Sequence, residues 1–267
     1  GRVPGSGERE MSALARACPG RVAEAAFRGG EWAVGIDDDW FVWANGRILP
    51  EEDRDRWNEF IGLRFYPYPR GLPPIREFDE KTKRRIAERL AGDEENPPRR
   101  SEAFLSRLYR AADRGETEAR LVRTGLMGFS LRLHEIAAEK LALVDRELKA
   151  LAAAKPEVRR FFSGLRRIDG YHWRSIAGTA SRSYHSYGLA LDFIPKSWGG
   201  RQYYWRNLMR FDGEWYSLPY EKRWMVPLEI VEVFEKHGFI WGGKWLYFDT
   251  VHFEYRPELL ALREVKP

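Results

Sequence analysis

The chain has 267 residues, 45 lysines and arginines against 40 aspartates and glutamates, a net charge of +5 and a single cysteine, Cys18. That length can bury a large core in one domain or two modest ones; the lone cysteine excludes an internal disulfide and a thiolate metal site, and no apolar run approaches the roughly 20 residues that cross a bilayer. The positive balance suits an acidic partner such as nucleic acid, anionic lipid or a wall polymer, but the two signs are interleaved and a mixed soluble surface explains them at least as well.

Residues 1 to about 30 mix Gly, Arg, Ala and Glu, with a short helix expected around Met11–Ala17. No hydrophobic stretch precedes Cys18, so ARAC is not a lipoprotein attachment site, and the missing signal segment leaves the compartment open. The run WAVGIDDDWFVWANGRILP, from Trp32 to Pro50, alternates in places and holds an Asn45-Gly46 turn, which predicts a small hairpin. Asp37, Asp38 and Asp39 lack the spacing and the distal Glu of a calcium loop and read as a solvated turn between strands. Pro50 opens an acidic helical turn, EEDRDRW. Arg64–Pro74, RFYPYPRGLPP, is too proline-rich for a helix and is expected to run extended over the surface. A charged helix, about Asp79–Leu90, leads into the linker GDEENPPRR. This divides the chain into an N-terminal accessory region, 1–98, either a separate module or wrapped around the core, and a main domain, 99–267.

Helices are expected at Ser101–Ala112 and, more strongly, where Ala137, Leu141, Val144, Leu148 and Leu151 repeat at alternating spacings of four and three. His134, near the start of the latter, reads as a surface or capping residue. Phe161–Trp173, punctuated by Gly164 and Gly170, predicts a strand that delivers Arg174. His172, within YHW, reads as packed or hydrogen-bonded rather than metal-ligating. Residues 196–224 form an aromatic insertion, KSWGGRQYYWRNLMRFDGEWYSLPYEKRW, whose rings suit a substrate groove and a core equally. A helix begins at Pro227, turns Ile230, Val231 and Phe234 inward and ends at Gly238; the helix dipole accounts for His237 in its last turn.

His185 and His252 are left without such an explanation. His185 lies in SYHSYGLALD, Ser183–Asp192, where Gly188 allows a close turn and Leu189–Phe193 reads as a buried strand carrying one carboxylate. A buried Asp192 needs a metal or a cation beside it. His252 lies in DTVHFE, Asp249–Glu254. Two imidazoles and a carboxylate are the donors of a catalytic zinc site with a fourth position open to water, which makes His185, Asp192 and His252 candidate ligands of a zinc ion (Zn2+). Asp249 and His252 would face opposite ways in one regular strand, so a turn is required between them. Trp241, Gly242, Gly243 and Trp245 are expected to shape the floor of the cleft or to make a tight turn between helix and strand.

SYHSYGLALD, GFIWGGKW and DTVHFE, in this order over roughly the last hundred residues, resemble the motifs of the M15 zinc peptidases: D-alanyl-D-alanine carboxypeptidases and dipeptidases and related cell-wall endopeptidases. The resemblance implies zinc on His185, Asp192 and His252, Asp249 as general base, and an upstream arginine on the oxyanion, best met by Arg174 with Arg166, Arg167 and Arg182 as competitors. Ser183 is then a supporting or substrate-binding hydrogen-bond donor, and Trp241 and Trp245 line the substrate. The implied fold is α+β, hedgehog-like: a small antiparallel sheet carrying the zinc site, helices packed on one side, plus an N-terminal elaboration. The implied activity is hydrolysis of peptidoglycan stem peptides in the bacterial cell envelope, periplasmic or secreted. D-alanyl-D-alanine carboxypeptidase comes first and endopeptidase second. A non-catalytic zinc-stabilised cell-wall module ranks below both because Asp249 is present, and no nucleic-acid motif accompanies the basic charge.

Overall fold

The structure, a computed structural model, describes residues 6–63, 65–97, 99–176, 181–211 and 213–264. Helix α1 (Glu8–Ala17) buries Met11, Ala13 and Leu14. An antiparallel meander follows: β1 (Ala26–Arg28), β2 (Glu31–Ile36), β3 (Asp39–Ala44) and β4 (Arg47–Pro50). The predicted hairpin is therefore part of a larger sheet. Asn45 and Gly46 both take positive φ, 51° and 84°, the tight turn whose twist matches its strands. Asp37 and Asp38 make the β2–β3 turn, with Asp37 held at 3.0 Å by Arg21. Pro50 leads into a 3-10 helix, Glu51–Glu59.

The proline-rich run carries no regular element, as its composition requires, yet it is not confined to the surface. Tyr68 is 1 % exposed, donates to Glu235 at 2.7 Å and accepts from the Trp241 backbone at 3.0 Å. Apolar burial of its aromatic residues against the main domain outweighs the tendency of proline segments to stay solvated. Helix α2 (Glu80–Glu95), capped by Asp79 on Thr82 N at 2.8 Å, runs past the predicted end at Leu90 and takes in the first part of the expected linker. The boundary residue Pro98 lies outside the described residues. Across that boundary the packing is continuous: α1 lies against the C-terminal helix α9 (Pro257–Arg263), and one hydrophobic cluster joins Met11, Leu14, Ile36 and Trp43 to Leu133, Phe193 and Phe253.

Next come α3 (Ala103–Tyr109), α4 (Arg114–Ala119) and a hairpin, β5 (Leu121–Leu126) with β6 (Phe129–His134). His134 then caps α5 (Glu135–Ala154): Nδ1 accepts from Ile136 N at 3.3 Å and Nε2 lies 2.8 Å from Tyr109 O, so this residue is a buried cap. Ala137, Leu141, Val144 and Leu148 are buried as their periodicity demands. The strand expected from Phe161 begins later. Pro156 starts a short helix, α6 (Pro156–Ser163), that buries Val158 and Phe162, and only after Gly164 does β7 (Leu165–Asp169) begin. The ring of His172 is exposed, not packed.

The sheet that matters for function has the order β7-β8-β10-β9, all neighbours antiparallel. Its strands are β7, β8 (Ala190–Pro195), β9 (Phe239–Trp241) and β10 (His252–Tyr255); helices α7 (Trp205–Met209) and α8 (Leu228–Lys236) lie between them and α9 follows. One face is apolar: Phe193 meets Phe161 and Phe162 of α6, Phe234 of α8 and Phe253 across the sheet, at ring separations of 5.2–5.9 Å. Helices on this side leave the opposite face for polar work. The aromatic insertion forms a second cluster, in which Trp205, Trp215, Tyr216 and Phe248 are buried with Ile86 and Leu90 of α2. Those rings are core, and the groove that they also suit is not made from them.

Candidate metal centre

Strand alternation sets up the site. Leu191 and Phe193 point one way and Asp192 the other, and in β10 Phe253 opposes His252 and Glu254 in the same manner. Asp192 and His252 are direct cross-strand partners, so their side chains rise side by side from the polar face. His185 comes from the 3-10 helix Tyr184–Tyr187. Ser183 Oγ caps it by accepting from His185 N at 3.3 Å, and Gly188 closes it at φ 69°. A Cβ at Gly188 would meet His134 N at 2.6 Å, so only glycine turns the chain here toward β8.

Three atoms converge. His185 Nε2 lies 3.2 Å from Asp192 Oδ1 and 3.2 Å from His252 Nδ1, and His252 Nδ1 lies 2.8 Å from Asp192 Oδ1. The other ring nitrogens decide where the protons are. His185 Nδ1 is 2.7 Å from Gly170 O, which only accepts, so Nδ1 carries the hydrogen and Nε2 presents a lone pair. His252 Nε2 is 3.0 Å from Glu254 Oε1, which fixes the same outcome at Nδ1. Two buried imidazoles and a half-buried carboxylate thus face one another, an arrangement that repels unless a cation, metal or proton, stands among them. Without a metal, imidazole protons stand in for that cation. Burial works against the Asp192 carboxylate, yet His185 and His252 hold its pKa far below the usual range; burial also opposes a charged His252, and Asp192 and Glu254 outweigh it and raise that pKa. His185, Asp192 and His252 therefore fit a divalent metal in donor type, in tautomer and in supporting hydrogen bonds.

The turn demanded between Asp249 and His252 is present: Thr250 and Val251 make it, with His252 N donating to Asp249 O at 3.3 Å. Asp249 N donates to Gly242 O at 3.1 Å, and a Cβ on Gly242 would come within 2.5 Å of Asp249 O. Gly242 is thus what lets the turn that carries Asp249 approach. Asp249 Oδ1 is buried with no hydrogen-bond partner among the described residues. Burial pushes this carboxyl up to about 7, with Asp192 adding to the rise and His252 and Arg174 opposing it.

Arg174 is exposed, and its charge reaches both Asp249 and Tyr204. Its competitors are engaged elsewhere or point outward. Arg182 donates to Ala111 O, Thr117 Oγ1 and Ser186 O and is stacked between Trp173 and Tyr187; Arg167 pairs with Asp169 at 2.8 Å; Arg166 is exposed on β7. Trp245 is half-buried, its ring 5.8 Å from that of His252, and its Nε1 donates to Tyr66 of the proline-rich run at 2.6 Å. Trp241, in contrast, is fully buried and donates to Thr250 O at 2.8 Å. It supports the floor from beneath and presents no surface to a substrate. Ser183 is likewise buried, its hydroxyl serving the backbone as a cap. Glu254, 3.0 Å from His252 Nε2, is the residue of this cluster that sequence reasoning missed. Its spacing of two from His252 on one strand face was the available signal.

Two imidazoles, a carboxylate ligand and a free carboxylate one turn away are the parts of a metallohydrolase centre. Residues 177–255 match a family model described as D-alanyl-D-alanine carboxypeptidase, and residues 10–64 match one described as a domain of unknown function (DUF8518). Over 76 residues the chain is 40 % identical to the peptidoglycan L-alanyl-D-glutamate endopeptidase CwlK of Bacillus subtilis (strain 168), covering 28 % of this chain and 40 % of that protein. The chain thus spans about two fifths of the length of this relative. No solved structure matches significantly. Residues 177–255 are thus similar to the M15 family of peptidases. No helix among the described residues is long and apolar enough to cross a membrane.

Proposed function

We propose that the protein is a zinc peptidase of hedgehog-like fold that hydrolyses peptidoglycan stem peptides in the bacterial cell envelope. The observation that carries this reading is the convergence of three lone pairs on His185, Asp192 and His252 beside a buried, unpartnered Asp249 oxygen. Zinc bound there supplies Lewis-acid polarisation of a carbonyl and acidifies water from about 15.7 toward about 7. The chain's own residues do the rest. Gly170 O and Glu254 hold the two imidazoles in the tautomers that leave lone pairs inward. Asp249 takes the proton of the attacking water on its free oxygen and delivers it to the leaving nitrogen, a role its raised pKa suits. Arg174, at the rim, stabilises the oxyanion that forms as the carbonyl becomes tetrahedral. Trp245 walls the cleft.

The bond cleaved has two readings, each with its own support. Removal of a terminal D-alanine follows the description of the matching family model; cleavage within the stem peptide follows the relative, named as an L-alanyl-D-glutamate endopeptidase. Digestion of purified muropeptides by the zinc-loaded protein and by His185→Ala and Asp249→Ala variants, read by mass spectrometry, separates them. Loss of one alanine establishes the carboxypeptidase and internal cuts the endopeptidase, each abolished in both variants. Intact muropeptides with zinc demonstrably bound would leave a non-catalytic wall-binding module in their place.

A further inference from the structure

The insertion between the two zinc motifs does more than fill a second core. Thr250 N donates to Tyr203 O at 2.8 Å and Trp205 N donates to Phe248 O at 3.0 Å, so residues 203–205 run antiparallel along the segment that carries the base. Tyr204 is the antiparallel partner of Asp249. Because the two hydrogen bonds flank this pair, it is the close, non-hydrogen-bonded kind. Its side chains rise on the same face with Cβ atoms roughly 4.5–5.5 Å apart.

Three further observations bear on the phenol. Tyr204 is half-buried, its ring packed at the edge of the aromatic cluster, 6.2 Å from that of Trp205. Its hydroxyl has no hydrogen-bond partner among the described residues, and neither has Asp249 Oδ1, so the two groups do not satisfy each other. Burial first, and then the Asp249 carboxylate, raise the phenol's pKa, which keeps it protonated and a donor. The Arg174 charge acts on both residues. A neutral donor on the same face as the Asp249 carboxylate has one natural recipient there, the substrate oxygen on which negative charge grows.

We propose that Tyr204 is a catalytic residue of this centre, its hydroxyl donating a hydrogen bond to the scissile carbonyl oxygen beside Arg174 as that oxygen becomes an oxyanion. The proposal rests on the peptidase reading above and adds a substrate contact from outside the three motifs. The insertion thereby acquires a function of its own, since pairing with Phe248–Thr250 fixes Tyr204 in register with the base.

The test is Tyr204→Phe, which keeps the ring and its packing and removes only the donor. Zinc content, thermal stability, kcat and KM on a cleaved muropeptide, and the affinity for a phosphinate peptide that mimics the tetrahedral anion are measured for both proteins. We expect wild-type zinc content and stability, kcat lower by about 10- to 100-fold with KM within about threefold, and phosphinate binding weakened by a similar factor. Cleavage and phosphinate binding within twofold of wild type would overturn the role of Tyr204 and leave the peptidase reading intact. Loss of zinc or of folding in Tyr204→Phe would make it a structural residue and also overturn the proposal. A zinc-loaded wild-type protein that neither cleaves the muropeptide nor binds the phosphinate would remove both readings together.

Discussion

Two buried polar clusters lie within this domain and solve the same problem in opposite ways. In the first, Lys244 Nζ, its side chain 1 % exposed, donates to Glu235 Oε1 at 2.5 Å, to Pro69 O at 3.0 Å and to Arg70 O at 2.7 Å. Tyr68 and Arg263 complete the carboxylate. The charge is balanced by the chain itself, and every ammonium proton has an acceptor. In the second, His185, Asp192 and His252 converge on one point, with Gly170 O and Glu254 engaging the outward ring nitrogens. Burial of charge is equally costly in both. A cluster that carries its own cation is a clasp, here fastening the proline-rich run to the rest of the chain; one that lacks it fits the proposed receptor for a cation from outside.

That contrast is most exposed at the ligands. Replacing His185 by Ala removes one of three donors, and we expect zinc stoichiometry near zero after dialysis and cleavage reduced by at least about 1000-fold, with the fold kept as judged by circular dichroism. Zinc retained at wild-type affinity in this variant would mean that the receptor lies elsewhere. Zinc should also raise the melting temperature of the wild type in a concentration-dependent way and leave that of His185→Ala unchanged, because only a state that binds is stabilised.

The clasp should fail differently. Lys244→Met leaves Glu235 buried with one cationic neighbour fewer, a loss of roughly 3–5 kcal/mol in unfolding free energy by denaturant titration. Zinc affinity measured in the same samples, under conditions where the variant remains folded, should stay within about threefold of wild type, since neither Lys244 nor Glu235 touches the ligands. A fall in zinc affinity comparable with the fall in stability would show that the clusters act as one.

Glu254 tests the receptor more finely. Gln at this position keeps an oxygen near His252 Nε2 but removes the charge, and we expect zinc affinity to drop by about 10- to 100-fold while folding is retained. An unchanged affinity would show that Glu254 serves the Arg256 side of its environment, where its other oxygen lies 3.6 Å from Nη1, and not the histidine.

How much of this was legible follows from the range of the interactions. The convergence of His185, Asp192 and His252 was readable because a histidine three residues before a turn glycine, a lone carboxylate in an apolar strand and a second histidine in the next motif have no cheaper explanation. Asp249 could be placed only with a turn before His252, and the turn is there. Glu254 was readable in principle from strand parity. The burial of Trp241 was not, since a tryptophan beside two glycines suits a floor or a core, and only its bond to Thr250 O decides. Nor could sequence pair Tyr66 with Trp245 or Tyr68 with Trp241, partners more than 170 residues apart brought together by a segment without periodicity. The strand expected from Phe161 failed for a local reason: a short amphipathic helix with two buried residues, Val158 and Phe162, gives too few repeats to separate period 3.6 from period 2.

The smallest effect concerns Asp249, the proposed base, and its sign distinguishes a receptor from a clasp once more. Among the described residues no cation is bonded to Asp249, and burial lifts its pKa from the ordinary 3.8 to about 7. A carboxyl whose folded pKa lies above its unfolded value weakens folding as pH rises from the unfolded pKa through the folded one, because the unfolded chain releases the proton first. Metal-free Asp249→Asn should therefore be more stable than metal-free wild type at pH 8, by ~1–3 kcal/mol against an upper bound of about 4 for the full shift, and the difference should vanish near pH 4. Zinc should shrink the gap, since a nearby cation favours the charged carboxylate that the wild type alone possesses. A wild-type protein more stable than Asp249→Asn at pH 8 without metal would show instead that Asp249 is held by an attraction and is part of a completed cluster. Stability gained on removing a residue whose loss abolishes cleavage is the signature of a group kept strained for its chemistry.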